Sequence, residues 1–240
     1  MTRYILAGTG QRVALDPSAV LGAGGEATVF RLPPGLAVGG VNPLAGKIYH
    51  DPVPAYGIKL QNFLDQRFSL PPAVLAPLDL LLAESNRTTA GFVMGLLSPG
   101  FQPFEHLMSR KLREAQGITT KDVVQTFIPL HTLITALHPR LIIGDLNPLN
   151  VHYRLQEAAL TDVDSIQFGR FPCPVATVRC LEPRLYGVDL SQRPAFIPDD
   201  DWYAYLVLLF NSLLLTHPYG GAHRTLRTIP QRAVAQVTVL

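Results

Sequence analysis

Lysine is scarce in this chain: of twenty basic residues only Lys47, Lys59, Lys111 and Lys121 are lysine. Charge is sparse altogether. Charged residues are 16% of the sequence and leave a formal net charge of +2, which offers no strongly basic face and argues against nucleic acid as a partner. Two cysteines, Cys173 and Cys180, are too few for a disulfide framework and lack the companions of a zinc site, so a reduced, cytoplasmic setting is expected. Long apolar runs are missing as well. The N-terminus has no extended apolar core of the signal-peptide kind, and the most apolar segment, Leu206 to Leu215, is interrupted by Asn211 and Ser212. A bilayer span needs about 20 apolar residues, so no membrane span is expected. What remains is a globular composition, 48% hydrophobic over 240 residues, enough for a substantial core and one to two domains.

Chemistry concentrates between Leu141 and Phe168. Two apolar pieces, Leu141-Ile142-Ile143 and Ala158-Ala159-Leu160, end in Asp145 and Asp162, with Asn150 between them and Asp164 two residues on. Read as strands joined by turns, they bring Asp145, Asn150 and Asp162 to one edge. Asn150 and Asp162 are oxygen ligands of the kind Mg²⁺ takes beside substrate phosphates. Asp145, ahead of them, is placed to accept the proton of an attacking hydroxyl.

The first part of the chain reads as short strands. Leu21-Gly22-Ala23-Gly24-Gly25-Glu26-Ala27-Thr28-Val29-Phe30 combines three glycines with a following β-branched run; such a turn lets backbone N–H groups approach and cradle phosphates, although an ordinary tight hairpin shows the same glycines. Lys47 lies inside the apolar strand Leu44 to Tyr49, where it is either a snorkelling side chain or a phosphate ligand. A helix is expected from Tyr56 to Phe68, with Leu60, Phe63, Leu64 and Phe68 on its apolar stripe. Strands follow over Leu75 to Ala83 and Thr89 to Met94. Beyond Gly100 the period becomes helical, over Phe104 to Ala115 and over Lys121 to Leu137 with Thr120 as N-cap. Asp199-Asp200-Asp201 opens a helix running to about Leu215, its acids suited to the N-terminal dipole.

Asp145-x4-Asn150 followed by Asp162-Val163-Asp164 resembles the catalytic loop and metal motif of protein kinases, usually H-R-D-x4-N and D-F-G. More narrowly, Lys47-Ile48-Tyr49-His50 and Asp162 to Ser165 resemble bacterial eukaryotic-like Ser/Thr protein kinases that write K-I-Y-H after the third strand and D-x-D-S in place of D-F-G. The resemblance implies an α+β, two-lobed protein-kinase-like fold. An N-lobe over 1–95 would hold an antiparallel sheet and one helix, and a mainly helical C-lobe over 96–240 would be trimmed or minimal. It implies ATP and Mg²⁺ as cofactors. Gly22, Gly24 and Gly25 would cradle phosphates, Val29 and Ala45 would line the adenine, and Met94 would sit in a hinge, Phe92 to Gly95, that bonds it. Lys47 would hold the α- and β-phosphates, Asn150 and Asp162 the metal with Asp164 as a further contact, and Asp145 would serve as base. Asn147 stands where the family places a lysine against the γ-phosphate, and Asp201 matches an aspartate that bonds the catalytic-loop backbone.

The departures are specific. No glutamate lies between Lys47 and Ala83 to fix the lysine, and Asp65 is either its substitute or a solvated helix acid. Gly144 replaces the arginine that clamps an activating phosphate, so activation of that kind is not expected. Gly169 to Pro183 reads as an activation segment, but it ends in Glu182-Pro183-Arg184 where the family has Pro-Glu. The expected activity is ATP-dependent phosphorylation of protein Ser/Thr hydroxyls. Two alternatives stand beside it: a pseudokinase that binds nucleotide and a signalling partner, and a small-molecule phosphotransferase of the aminoglycoside or choline kinase type, which Gly144-Asp145-Leu146-Asn147-Pro148 also resembles.

Overall fold

A computed structural model describes residues 2–138 and 140–239. The chain forms two compact units. One comprises the residues up to Ser69 together with Leu75–Ser98, and the other Leu70–Val74 together with the chain from Pro99 onward.

The first unit is one seven-stranded sheet and one helix. Its strands are Thr2–Leu6 (β1), Arg12–Leu15 (β2), Val20–Ala23 (β3), Ala27–Arg31 (β4), Leu44–Tyr49 (β5), Asp79–Ala83 (β6) and Thr89–Gly95 (β7), with Pro54–Asp65 (α1) between β5 and β6. The spatial order is β2-β1-β6-β7-β5-β4-β3 and the pairs are antiparallel. Side chains alternate across a strand, and β5 shows the result. Leu44 and Ile48 join Leu6, Val13, Leu15, Leu81 and Val93 in one apolar cluster. Ala45 and Tyr49 enter a second cluster with Ala27, Leu80, Phe92, Met94 and Leu60 of α1. Lys47 shares the parity of Ala45 and Tyr49, so it projects to the helix-bearing face.

The centre of this sheet depends on Gly91. A Cβ there would lie 1.9 Å from the carbonyl oxygen of Lys47, so no other residue lets β7 approach β5 so closely. Proline at the first helical position starts α1, which buries Leu60 and Phe63 and ends at Asp65, three residues earlier than its apolar stripe implied. Phe68 lies beyond the helix but stacks on Phe63, ring centroids 5.1 Å apart. The strand expected from Leu75 begins at Asp79, whose carboxylate accepts the Gly8 N–H through both oxygens. Phe92 to Gly95, expected as a hinge, lies in β7 opposite Leu44 to Lys47, and the first unit runs on to Ser98.

The second unit contains Gln102–Pro103 (β8), a 3-10 turn at Phe104–Met108, Arg110–Gln116 (α2), Thr120–Leu137 (α3), Val151–Arg154 (β9), Glu157–Leu160 (β10), Pro198–Leu214 (α4) and Ile229–Val234 (α5). Helix α3 is central: Val123, Phe127, Leu130, Ile134 and Leu137 are all buried, as the 3.6-residue period requires. Phe127 packs on Phe104 and on Tyr205 of α4, with centroids 5.2 and 5.4 Å away. Its N-cap is Thr119, one residue before the expected Thr120, in a reciprocal capping box with Asp122. Leu141 to Ile143 is no strand. Its one strand-like pairing among the described residues is the isolated Ile142 and Gln167 bridge, with no ladder on either side of it.

Candidate active site

In the first unit the glycine-rich turn is the β3–β4 hairpin, closed by Gly24 N–H donating to the Ala27 carbonyl at 2.9 Å. His50 braces it from the end of β5. Its backbone N–H donates to the Glu26 carbonyl at 2.9 Å, while its ring meets the Gly25 carbonyl through Nδ1 at 3.1 Å and Thr28 Oγ1 through Nε2 at 2.9 Å. None of Gly22, Gly24 and Gly25 has a positive φ. A Cβ at Gly22 or Gly25 would meet nothing within 4 Å, and at Gly24 nothing nearer than 3.9 Å. The fold itself therefore makes no demand for glycine at this turn. With no side chain on any of the three, the backbone at this turn is open to close approach.

Lys47 is 8% exposed and lies opposite Val29 of β4. Its Nζ is 5.9 Å from the ring centroids of both Tyr49 and Phe92. Asp65 is exposed on α1, where its carboxylate accepts the Gln61 amide at 2.8 Å; of the two readings, the solvated helix acid is the one seen.

In the second unit, buried Asp201 fixes the loop that carries Asp145. Its Oδ2 accepts the Ile143 N–H and its Oδ1 the Gly144 N–H, each at 2.8 Å, and His138 Nε2 lies 3.0 Å from Oδ2. Gly144 has φ +74, and a Cβ there would fall 2.8 Å from Cys173 Cβ and 3.2 Å from the Phe196 ring. The place of the missing arginine is thus filled by Cys173 and Phe196.

The Asp145 carboxylate is held on both sides. Oδ1 accepts the Thr177 backbone N–H at 2.8 Å, and Oδ2 accepts the side-chain amides of Asn147 at 3.0 Å and Asn150 at 3.2 Å. Asn147 is buried, and its own Oδ1 accepts the N–H groups of Leu149 and Asn150. Both ends of that amide therefore build the loop, so the donor expected to reach a γ-phosphate is turned inward to Asp145.

Asn150 is tied to the next acid. Its carbonyl accepts the Thr161 N–H at 2.9 Å, and Asp162 follows with a left-handed backbone, φ 55, a conformation that costs an aspartate less than most residues. Because the Asn150 amide nitrogen serves Asp145, its Oδ1 remains as an acceptor. That oxygen with the carboxylates of Asp162 and Asp164 is the donor chemistry of a hard divalent cation. His152 on β9 lies within the field of Asp162; burial lowers its pKa and that charge opposes the shift.

The segment after Phe168 is packed by an apolar cluster of Cys173, Leu181, Leu185, Leu190 and Phe196. The Glu182-Pro183-Arg184 sequence that closes this segment is anchored through its arginine. Arg184 pairs with the Asp200 carboxylate and, at 3.3 Å, with Glu182. Sequence reasoning missed His138, His50 and Arg184, each of which acts through a partner far away in the chain.

No protein-family model matches the chain, and no curated protein matches it. Among solved structures it is similar to the kinase domain of a Toxoplasma gondii specific rhoptry antigen, with a TM-score of 0.63 over 98% of this chain and 77% of that one, at 14% identity. The fold is accordingly the two-lobed α+β fold of protein kinases. At that identity the likeness speaks for the fold alone.

Proposed function

We propose that the chain transfers the γ-phosphoryl group of ATP, with Mg²⁺, to the hydroxyl of a serine or threonine in a protein acceptor. The observation that carries this reading is the anchoring of Asp145 by three N–H donors, from Thr177, Asn147 and Asn150, in a stretch of chain that also carries Asp162 and Asp164, whose carboxylates share oxygen-ligand chemistry with the Asn150 amide. Phosphoryl transfer is chiefly positioning and charge neutralisation, and this loop positions a carboxylate firmly. Asp145 orients the acceptor hydroxyl and takes its proton. Asn150, Asp162 and Asp164 would hold the cation, which when bound neutralises charge on the phosphoryl oxygens. In the other unit, the β3–β4 hairpin offers backbone N–H groups to phosphates and Lys47 offers a positive charge, while Val29, Ala45 and Met94 supply an apolar lining for adenine. Because Thr177 belongs to a long segment applied to Asp145, a peptide acceptor is favoured over a small amino alcohol.

One observation favours a second reading. Asn147 brings no charge and its side-chain amide faces Asp145. A chain that binds nucleotide and signals without transfer would need no cation at that position.

Transfer of labelled phosphate from Mg²⁺-ATP to the protein and to a generic acceptor decides between them. Transfer by the parent and its loss in Asp145→Asn and Asp162→Asn is expected. ATP raising the melting temperature with no transfer to any acceptor would establish the second reading instead.

A further inference from the structure

Beside Thr177, within the second unit, lies an open cavity of about 670 Å³ whose lining includes Glu105, Thr177, Arg179, Asn211, His217 and Arg232. Arg232 is unusual there. It is 6% exposed, and its guanidinium donates from Nε to the Tyr219 carbonyl and from Nη1 to the Leu226 carbonyl, at 2.7 and 2.8 Å. Among the described residues Nη2 makes no hydrogen bond and no carboxylate forms an ion pair with the guanidinium. Arginine is rarely buried without a charge partner, because an uncompensated buried charge is costly. A guanidinium also presents its remaining N–H groups as a planar fork suited to carboxylate or phosphate oxygens.

The neighbouring groups are consistent with an anion. Arg179 is exposed at the same wall and forms no ion pair among the described residues. His217 adds no negative charge: Nε2 donates to the Arg179 carbonyl and Nδ1 accepts the Tyr219 N–H, which defines its neutral form. Glu105 is the one acid of the lining, and it is exposed.

We propose that this cavity receives an anionic group, carboxylate or phosphate, carried by the protein acceptor close to the hydroxyl that is modified. The inference rests on the transfer function proposed above, since proximity to the acceptor hydroxyl comes from Thr177, which both lines the cavity and bonds Asp145. It adds a substrate class: acceptors with an acidic or already phosphorylated neighbour.

The test uses short peptides that differ only in the residue beside the acceptor serine: alanine, lysine, aspartate or phosphoserine. Binding is read by fluorescence anisotropy on versions with the serine replaced by alanine, and transfer is read on the serine versions. The aspartate or phosphoserine peptide is expected to bind about tenfold more tightly than the alanine peptide, the scale of one charge-assisted hydrogen bond. That advantage should shrink in Arg179→Ala, a surface change, and vanish in Arg232→Gln. The order of aspartate and phosphoserine identifies the source of the anion. Equal affinity across the series, or an advantage unchanged in Arg179→Ala and insensitive to salt, would overturn the proposal. Acidic preference in binding with no transfer to any peptide would leave the site standing and remove the transfer reading, whereas transfer without acidic preference would do the reverse.

Discussion

The backbone N–H of Thr177 donates to Oδ1 of Asp145 at 2.8 Å across 32 residues of sequence. The orientation of this carboxylate is therefore set by main chain from a segment far beyond its own loop. The donor is independent of the threonine side chain and depends only on position 177 having an N–H.

Removing that donor separates its role from the side chain's. Thr177→Pro deletes the N–H and is expected to lower kcat at least about tenfold, the effect of one misplaced contact at a reacting group, whereas Thr177→Val keeps the N–H and should retain most activity. Steady-state kinetics on both variants, with folding checked by circular dichroism, decides. Equal activities would show that the bond is incidental.

The glycine turn makes a prediction that separates fold from function. Gly25→Ala meets no atom within 4 Å, so unfolding free energy should stay within about 0.5 kcal/mol of the parent. Nucleotide affinity should fall, because a methyl would stand where phosphates approach. Isothermal titration with ATP beside a urea melt measures both, and unaltered affinity would leave the turn an ordinary hairpin.

Gly91 gives the contrary case. A Cβ 1.9 Å from the Lys47 carbonyl must force β5 and β7 apart, so Gly91→Ala is expected to cost about 3 kcal/mol or more. A urea midpoint near that of the parent would mean that the two strands can separate cheaply.

His217 confers a pH dependence whose sign follows from its environment. Burial lowers its pKa from the ordinary 6.5; the Arg179 carbonyl opposes this, and the charges of Arg179 and Arg232 add to it. The unfolded state therefore binds the proton more readily than the folded one. Its contribution to stability is complete above about pH 6.5 and is lost as pH falls through the lowered folded value. His217→Gln, which keeps a donor for Arg179, should be less sensitive than the parent when urea melts at about pH 7.5 and about pH 5 are compared. Parallel slopes would count against a neutral buried imidazole.

The ion pair of Arg184 and Asp200 is open to a charge-exchange test. Arg184→Glu places a third carboxylate beside Glu182 and buried Asp200, whose pKa burial already raises, and is expected to cost about 2 kcal/mol. Adding Asp200→Arg should recover part of the loss in a double-mutant cycle. No recovery would show that Arg184 acts by packing alone.

What could be read in advance was local or rested on spacing. The glycine hairpin, the buried stripe of α3 and the order Asp145, Asn150, Asp162 each follow from residues close in sequence, and the attachment of Asp201 to the loop backbone has the form that the resemblance implied. The misses involve long-range partners. Leu141 to Ile143 has the composition of a strand but no neighbour to pair with, and composition does not report neighbours. His138, His50 and Arg184 are polar residues whose significance appears only when Asp201, Gly25 and Asp200 arrive from elsewhere. Gly91 resembled any strand glycine until the carbonyl facing it was located. Asn147 was assigned by position, and the direction of its amide could be known only from the loop that closes around it.

The contact of Gly144 with Cys173 and Phe196 also bears on how such a chain can change over generations. A left-handed backbone and two side chains pressed against the same point mean that an arginine introduced alone at position 144 would meet both a conformational and a steric penalty before it could recognise any phosphate. Cys173 and Phe196 would have to shrink or move in company with it. A single substitution at position 144 therefore does not by itself create a phosphate-binding arginine in this arrangement.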